Sequence, residues 1–437
     1  MDATSAATLR KPARAQTTRR HELDWLRTAA VFGLIPFHTA VIFTTGAYDY
    51  VKNAQTSQVM DFLTTFITVW GIPLLFLVAG GSARYALAAR GVGRYLNERV
   101  TRLLVPFIFG MLVIVPFQVY IGRLSSPTPA PPYLVFYGQF LWSLALIFTG
   151  VLPRGPDWIG HLWFIPPLMF FAVVSVPFAW ALRTPRGKAA VSWLAGSLRG
   201  FAPLVLFGAP LALVNWMALE GVRYMATTDT AFASNAIGVT AFLFCFLYGY
   251  VLYLDERFLA SVVRDTWLAL ALGAIAWLSL RYSIQPLGAS FSNDWYGRVV
   301  LGFLRGYSTW WWVMGILGLA LRYLRFTNGA ERYLARAAYP VYIIHMPILS
   351  LVAFWVVRLD TNIAVKFLII IVTAIAASLL VYETLINRVA PVRVLFGVDA
   401  GAPAKTPRGN GRKRRRSGRG SGSDRAVTQR GGRVTGR

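Results

Sequence analysis

Three of the four histidines in this 437-residue sequence sit inside or at the edge of apolar runs, where an ionisable side chain is expensive. His38 lies within one such run. His161 opens another, His161-Leu-Trp-Phe-Ile-Pro-Pro167, and His345 sits inside Tyr339-Pro-Val-Tyr-Ile-Ile-His-Met-Pro347. An imidazole gains and loses its proton near neutral pH, so the set suits general acid–base chemistry. For His161 and His345 taken singly, hydrogen-bonded packing is the competing reading. Upstream of His38 stands His21-Glu-Leu-Asp24-Trp-Leu-Arg27. At 100° per residue the eleven steps from Arg27 to His38 return to within about 20° of the start, so a helix puts both on one face. They are separated by roughly 16 Å along the axis, with Asp24 one turn below Arg27. One arginine at a helix end is explained by snorkelling; a stripe of three such groups points to function.

A second constellation is Glu98-Arg99-Val-Thr-Arg102. Arginines three apart are neighbours on an α-helical face, and two guanidinium forks grip a phosphate or diphosphate bidentately. Plain cytoplasmic-loop charge is the rival explanation. Other chemistries lack their residues. Gly91-Val-Gly93 has no third glycine in place, and no Gly-x-Ser-x-Gly, His-Glu-x-x-His or Walker loop occurs. Metal ligands are not clustered along the chain, so neither a metal nor a permanently bound cofactor is expected. The one cysteine, Cys245, lies in an apolar run and reads as a buried small residue.

The elements that hold these groups are membrane helices. Hydrophobic residues make up 56% of the chain and charged ones only 14%, and apolar runs near twenty residues recur along it, the length that crosses roughly 30 Å of hydrocarbon. The fold expected is an all-α polytopic bundle of about ten transmembrane helices, at 25–45, 62–82, 103–122, 161–182, 202–220, 235–254, 266–284, 299–321, 338–357 and 363–385. Basic loops at 84–102, 183–199 and 322–336 mark the cytoplasmic side by the positive-inside rule. An even number of crossings must separate them. Segment 134–152, after the Pro-rich 127–132, is therefore expected to stay on the outer side, and 255–265 to be a cytoplasmic loop. Both termini then lie in the cytoplasm.

The chain divides into a basic N-terminal segment (1–24), a membrane domain (25–398) and a Gly/Ser/Arg tail (399–437) with too little apolar content to fold. The net charge of +26 sits in short loops and this tail, which is membrane topology rather than a specific nucleic-acid surface. The tail is expected to touch anionic lipid; recruitment of RNA or protein through its Arg-Gly pairs is the sharper alternative. No cleavable leader is apparent, and the inner (plasma) membrane is the expected location.

Taken in order, these motifs resemble the membrane acyltransferase 3 family, and within it the glucan-modifying branch. The matching residues are Leu23-Asp-Trp-Leu-Arg27 with His38, Pro73-Leu-Leu-Phe-Leu-Val-Ala-Gly-Gly81-Ser-Ala-Arg84, Arg99-Val-Thr-Arg102, His161-Leu-Trp-Phe164, Tyr339 to His345, and Tyr382-Glu383. The resemblance implies transfer of an acyl group from cytoplasmic acyl-CoA to a hydroxyl of a carbohydrate or glycolipid acceptor. It places His38 at the reaction centre and assigns Arg99 and Arg102, with Arg27, to the donor. Asp24 is then expected to fix Arg27, Glu383 to pair with a cation or a substrate hydroxyl, and His161 and His345 to support the centre. A covalent acyl-histidine relay stays open. Many relatives carry a soluble esterase-like domain after the spans; here only the basic tail follows. The rival classes are a transporter or flippase for a glycan or lipid-linked substrate, which would show inverted repeats with broken helices, and a non-enzymatic scaffold.

Overall fold

The computed structural model describes residues 20–46, 50–149, 158–197, 202–224, 230–284, 291 and 294–398. The basic N-terminal stretch before Arg20 and the tail from 399 lie outside the described residues. Among the described residues every regular element is helical. The elements are α1 (His21–Ile42), α2 (Gln58–Arg90), α3 (Val92–Ser125), α4 (Tyr133–Phe148), α5 (Gly160–Arg183), α6 (Pro185–Ser197) and α7 (Gly208–Tyr224). They continue with α8 (Thr230–Leu252), α9 (Glu256–Arg264), α10 (Thr266–Leu278), α11 (Trp295–Tyr323), α12 (Gly329–Val356), α13 (Ile363–Val381) and α14 (Ala390–Leu395).

Each of the ten expected spans coincides with a helix. Seven described helices are long and apolar enough to cross a bilayer: α1, α2, α3, α5, Ala202–Glu220 (which includes α7 up to Glu220), α12, and α13 with its extension to Ile386. An eighth is added if α8 and α9, bent by 110° between Gly238–Leu252 and Glu256–Arg264, count as one broken span. The remaining two expected spans are α10, an apolar helix that runs on only to Tyr282, and α11, which has 29 residues but carries Arg298 and Arg305. Segment 255–265, expected to be a loop, is the helix α9. It is amphipathic: Phe258, Leu259 and Val262 are buried while Arg257 projects outward, and Asp255 caps it by accepting from the Arg257 N–H.

Two apolar cores organise the bundle. The first joins α2, α5, α7, α8, α9 and α11 around Phe76, Phe171, Phe246 and Trp310. The second joins α1, α3, α4, α12 and α13 around Ile35, Val115, Ile343 and Ile370. Helix α5 lies between them, with Phe164 and Leu168 packed against both.

Inside lipid the hydrophobic drive between helices is weak, so close packing of small residues takes its place. A Cβ on Gly80 of α2 would stand 1.8 Å from the Phe246 carbonyl oxygen of α8, and one on Gly249 of α8 would stand 1.9 Å from that of Leu77. The two backbones meet through a reciprocal glycine pair, and any side chain at either position would push the helices apart.

Prolines shape the interior. A proline cannot donate to the carbonyl four residues earlier, and within a membrane that oxygen must find another partner. Pro116 frees Leu112, whose carbonyl accepts from the Tyr137 hydroxyl of α4 at 3.2 Å. Pro347 frees Ile343, and the group that answers it is a histidine.

Candidate active site

The three intramembrane histidines come from α1, α5 and α12, and the second core gathers them in a row. The rings of His38 and His345 are 5.6 Å apart between centroids, and those of His345 and His161 are 5.3 Å apart. His161 and His345 are buried.

The hydrogen bonds assign the protons. Nε2 of His161 lies 2.9 Å from the Ile343 carbonyl that Pro347 leaves open. A carbonyl only accepts, so Nε2 carries a proton. Nδ1 of the same ring lies 2.6 Å from Oε1 of buried Gln118 on α3. A half-turn of that carboxamide exchanges its oxygen and NH2 and lets the neutral ring be fully paired. It also gives the buried NH2, otherwise unpartnered, its acceptor. The Tyr342 hydroxyl donates to the His161 carbonyl at 2.7 Å, clamping α5 to α12. His161 is thus held on every polar side.

His345 is held on one side only. Its Nδ1 lies 2.7 Å from the Tyr342 carbonyl and donates to it. That leaves Nε2 as a lone pair, buried and without a partner. Nδ1 of His38 is likewise buried and unpartnered. Two imidazoles with unmatched nitrogens side by side are costly in an apolar core. They are what a site needs if a proton must be taken up there. Sequence spacing named all three histidines but missed Gln118 and Tyr342. Tyr342 was visible as the tyrosine three residues before His345; nothing in the local sequence marks Gln118.

At the other end of α1, Arg27 donates to Ser82 of α2 at 3.2 Å and pairs with Asp24 at 3.4 Å, as the spacing predicts for the Asp24–Arg27 pair. Ser82 lies in the Gly-Gly-Ser-Ala-Arg run on α2. Helix α1 is continuous from His21 to Ile42, so the face shared by Arg27 and His38 is preserved.

One expectation needs correction, and two others gain detail. Arg99 and Arg102 were placed on one α-helical face, but Val100–Leu104 is a turn of π-helix. Its wider turn rotates the two arginines away from the i, i+3 alignment. Arg99 lies over the Tyr95 ring, 4.9 Å from its centroid, while Tyr95 reaches Ser175 of α5. Among the described residues, metal-ligand types that are unclustered in the sequence converge at one place: His21, Asp24 and Glu331 offer atoms within 4.8 Å of one another. Glu331 arrives from α12, so spacing along one segment does not reveal the group, and Asp24 already serves Arg27 there. Glu383 stands in another π turn, Tyr382–Ile386. It accepts from Asn387, the residue that closes that turn, at 3.4 Å.

A large cavity, about 910 Å³, lies at the end of the bundle opposite Arg27. Phe37 forms part of its wall, and the Phe37 ring meets the His38 ring edge-on at 5.1 Å. Cys245, buried and unpaired, contributes to the same wall.

No curated protein and no solved structure matches the chain. The acyltransferase 3 family, described as an acyltransferase domain, matches residues 20–383. That span runs from just before α1 to Glu383 and contains the three histidines, Arg27 and the Arg99–Arg102 pair. The chain belongs to the acyltransferase 3 family and is a membrane acyltransferase.

Proposed function

We propose that this protein takes an acyl group from cytoplasmic acyl-CoA and transfers it to a hydroxyl of a carbohydrate or glycolipid acceptor on the far side of the inner membrane. A glycan of the kind handled by the glucan-modifying branch fits this reading. The observation that carries it is the pair of unpartnered buried nitrogens, Nδ1 of His38 and Nε2 of His345, the first on α1, whose other end bears Arg27, and the second on α12.

In this reading Arg27, Arg99 and Arg102 hold the phosphates of the donor at the cytoplasmic mouth, and the pantetheine arm runs along α1 toward His38. The acceptor hydroxyl enters from the cavity beside Phe37. His38 takes the hydroxyl proton as the oxygen attacks the thioester carbonyl. The C–S bond then breaks, CoA leaves as the thiolate, and the proton on His38 is returned to it. The phosphate grip fits arginine chemistry, and the proton step fits an imidazole. Asp24 keeps Arg27 aimed at the donor, and both termini lie on the donor side.

The test is incubation of the purified protein in nanodiscs with acetyl-CoA carrying labelled acetyl, with and without total envelope glycolipid. CoA thiol release that depends on the acceptor, with the label recovered as an ester, supports the reading. Label that stays on CoA under all acceptors rules out this donor. A cysteine replacing Ser126, in a Cys245→Ala background, should react with an impermeant maleimide from outside; reaction only after permeabilisation would reverse the proposed orientation.

A further inference from the structure

The cavity beside Phe37 has a lining the transfer reaction alone does not explain. Its walls mix aromatic faces (Phe37, Phe242, Trp277) with Thr64, Thr65, Thr68 and Asn215, a surface suited to a sugar ring with hydroxyls. It also holds two arginines, Arg281 and Arg305, against one carboxylate, Asp61. The Oδ1 atom of Asp61 is already engaged by the Thr45 N–H at 3.0 Å.

Arg305 stands out by comparison with its own helix. Helix α11 carries Arg298 and Arg305 seven residues apart, which places both on one face. Arg298 is buried and answered by the protein, its Nε lying 2.7 Å from the Glu220 carboxylate of α7. Two turns further in, α7 supplies no second acid. It offers Asn215, and its backbone closes on α11, where a Cβ on Gly306 would fall 2.4 Å from the Ala212 Cα. Arg305 is exposed to the cavity, and among the described residues no hydrogen bond or ion pair engages it. It sits ten residues into α11, roughly 15 Å along the axis at 1.5 Å per residue, deeper than a side chain at a helix end. A cation kept at that depth without a carboxylate of its own is expensive unless something brings one.

We propose that the cavity binds the acceptor through an anionic group, a carboxylate or phosphate gripped by Arg305 with Arg281 adding to the local positive charge, so that the acceptor is an acidic saccharide rather than a neutral one. This rests on the reading of the cavity as the acceptor entrance. It adds the class of acceptor, since a guanidinium fork matches a carboxylate or phosphate bidentately and a neutral hydroxyl does not.

The experiment compares methyl β-D-glucuronide with methyl β-D-glucoside, which differ only by a carboxylate in place of CH2OH. Binding to the protein in nanodiscs is measured calorimetrically, with inorganic phosphate as a third probe. The wild type should bind the glucuronide at least about tenfold more tightly than the glucoside, the scale of one charge-assisted hydrogen-bonded pair. Arg305→Gln should bring the two ligands to parity while leaving the glucoside within about twofold, and Arg305→Lys should retain part of the preference. Equal affinity of the two sugars for the wild type overturns the proposal, whether or not the variants fold. So does a preference that survives in folded Arg305→Gln. Inorganic phosphate binding as tightly as the glucuronide would also overturn it, by showing a bare anion site. Binding as expected with no acyl transfer to either sugar would instead count against the proposed reaction and leave the anion preference standing.

Discussion

The bundle treats the ionisable groups along its spans in two opposite ways. Around the histidines of the second core, side chains and freed carbonyls close in, and Nδ1 of His38 and Nε2 of His345 are left buried without a partner. Around Arg305 they draw back and leave a cavity of about 910 Å³. The difference follows from what each group must meet. A base works best dry, where its hydrogen bonds are strong and water does not compete. A recognition site must admit a polar molecule with its hydration partly intact, so hydroxyls, an amide and arginines stand among the aliphatic and aromatic side chains of its walls. The same contrast separates His161 from its two neighbours. Both of its nitrogens and its carbonyl are engaged, which makes it the fixed wall against which the other two rings stand.

The contrast breaks first at His38. If its ring is the base, His38→Gln keeps much of the size and hydrogen bonding but cannot accept a proton in the same way. Transfer should fall by roughly two to four orders of magnitude, with donor binding intact because Arg27 lies about three turns away on α1 and Arg99 and Arg102 are on α3. Near-normal transfer at matched expression would reduce His38 to a packing residue.

His345 comes next. Asn in its place can still donate to the Tyr342 carbonyl but has no imidazole lone pair to share with His38. His345→Asn should therefore fold and lose transfer by about 10²-fold, the lower end of general acid–base effects. His345→Phe, which fills the space without the donor, should be less stable as well. An asparagine variant as active as the wild type would confine the chemistry to His38 alone.

Part of this arrangement is legible in the sequence. The face shared by Arg27 and His38 survives because α1 is an uninterrupted α-helix whose periodicity holds. Apolar run length located ten helices for the same reason, since a span must satisfy its own backbone wherever it packs. Spacing failed where the helix type changed. The π turn at Val100–Leu104 is invisible to an argument built on 3.6 residues per turn, and so the relation of Arg99 to Arg102 was misjudged. Convergence failed for a different reason. Gln118, Glu220 and Glu331 meet His161, Arg298 and the His21–Asp24 pair across 43, 78 and hundreds of positions, and no local pattern carries that information. The prolines lie between these cases. Pro347 announces a missing donor, but only the structure shows that His161 answers the carbonyl it frees.

A smaller effect is expected at the donor end. Arg99→Ala and Arg102→Ala should each weaken acyl-CoA binding by about tenfold, since a hydrogen bond to a charged group contributes about 1.5–3 kcal/mol, with Lys recovering part of the loss because it keeps the charge without the fork. Because the π turn sets the two arginines apart, their losses should be close to additive. Strong coupling in the double variant, measured by titration of a non-hydrolysable acyl-CoA, would mean they grip one phosphate together after all. Unchanged affinity in the double variant would leave them as topology determinants.

The smallest change in chemistry is expected from Gln118→Leu, and it separates a wall from a working part. The leucine nearly matches glutamine in size and is at home in the second core, but it leaves Nδ1 of His161 facing apolar atoms. One buried nitrogen without its partner costs about 1–3 kcal/mol, which should appear as a lower midpoint of thermal unfolding in detergent. If His161 serves only to brace His345, transfer at a temperature where the variant is fully folded should fall no more than about tenfold, since the Ile343 and Tyr342 bonds still fix the ring and its backbone. A loss comparable to that of His38→Gln, in protein that melts normally, would place His161 and Gln118 in the proton path and erase the distinction between the braced imidazole and the two open ones.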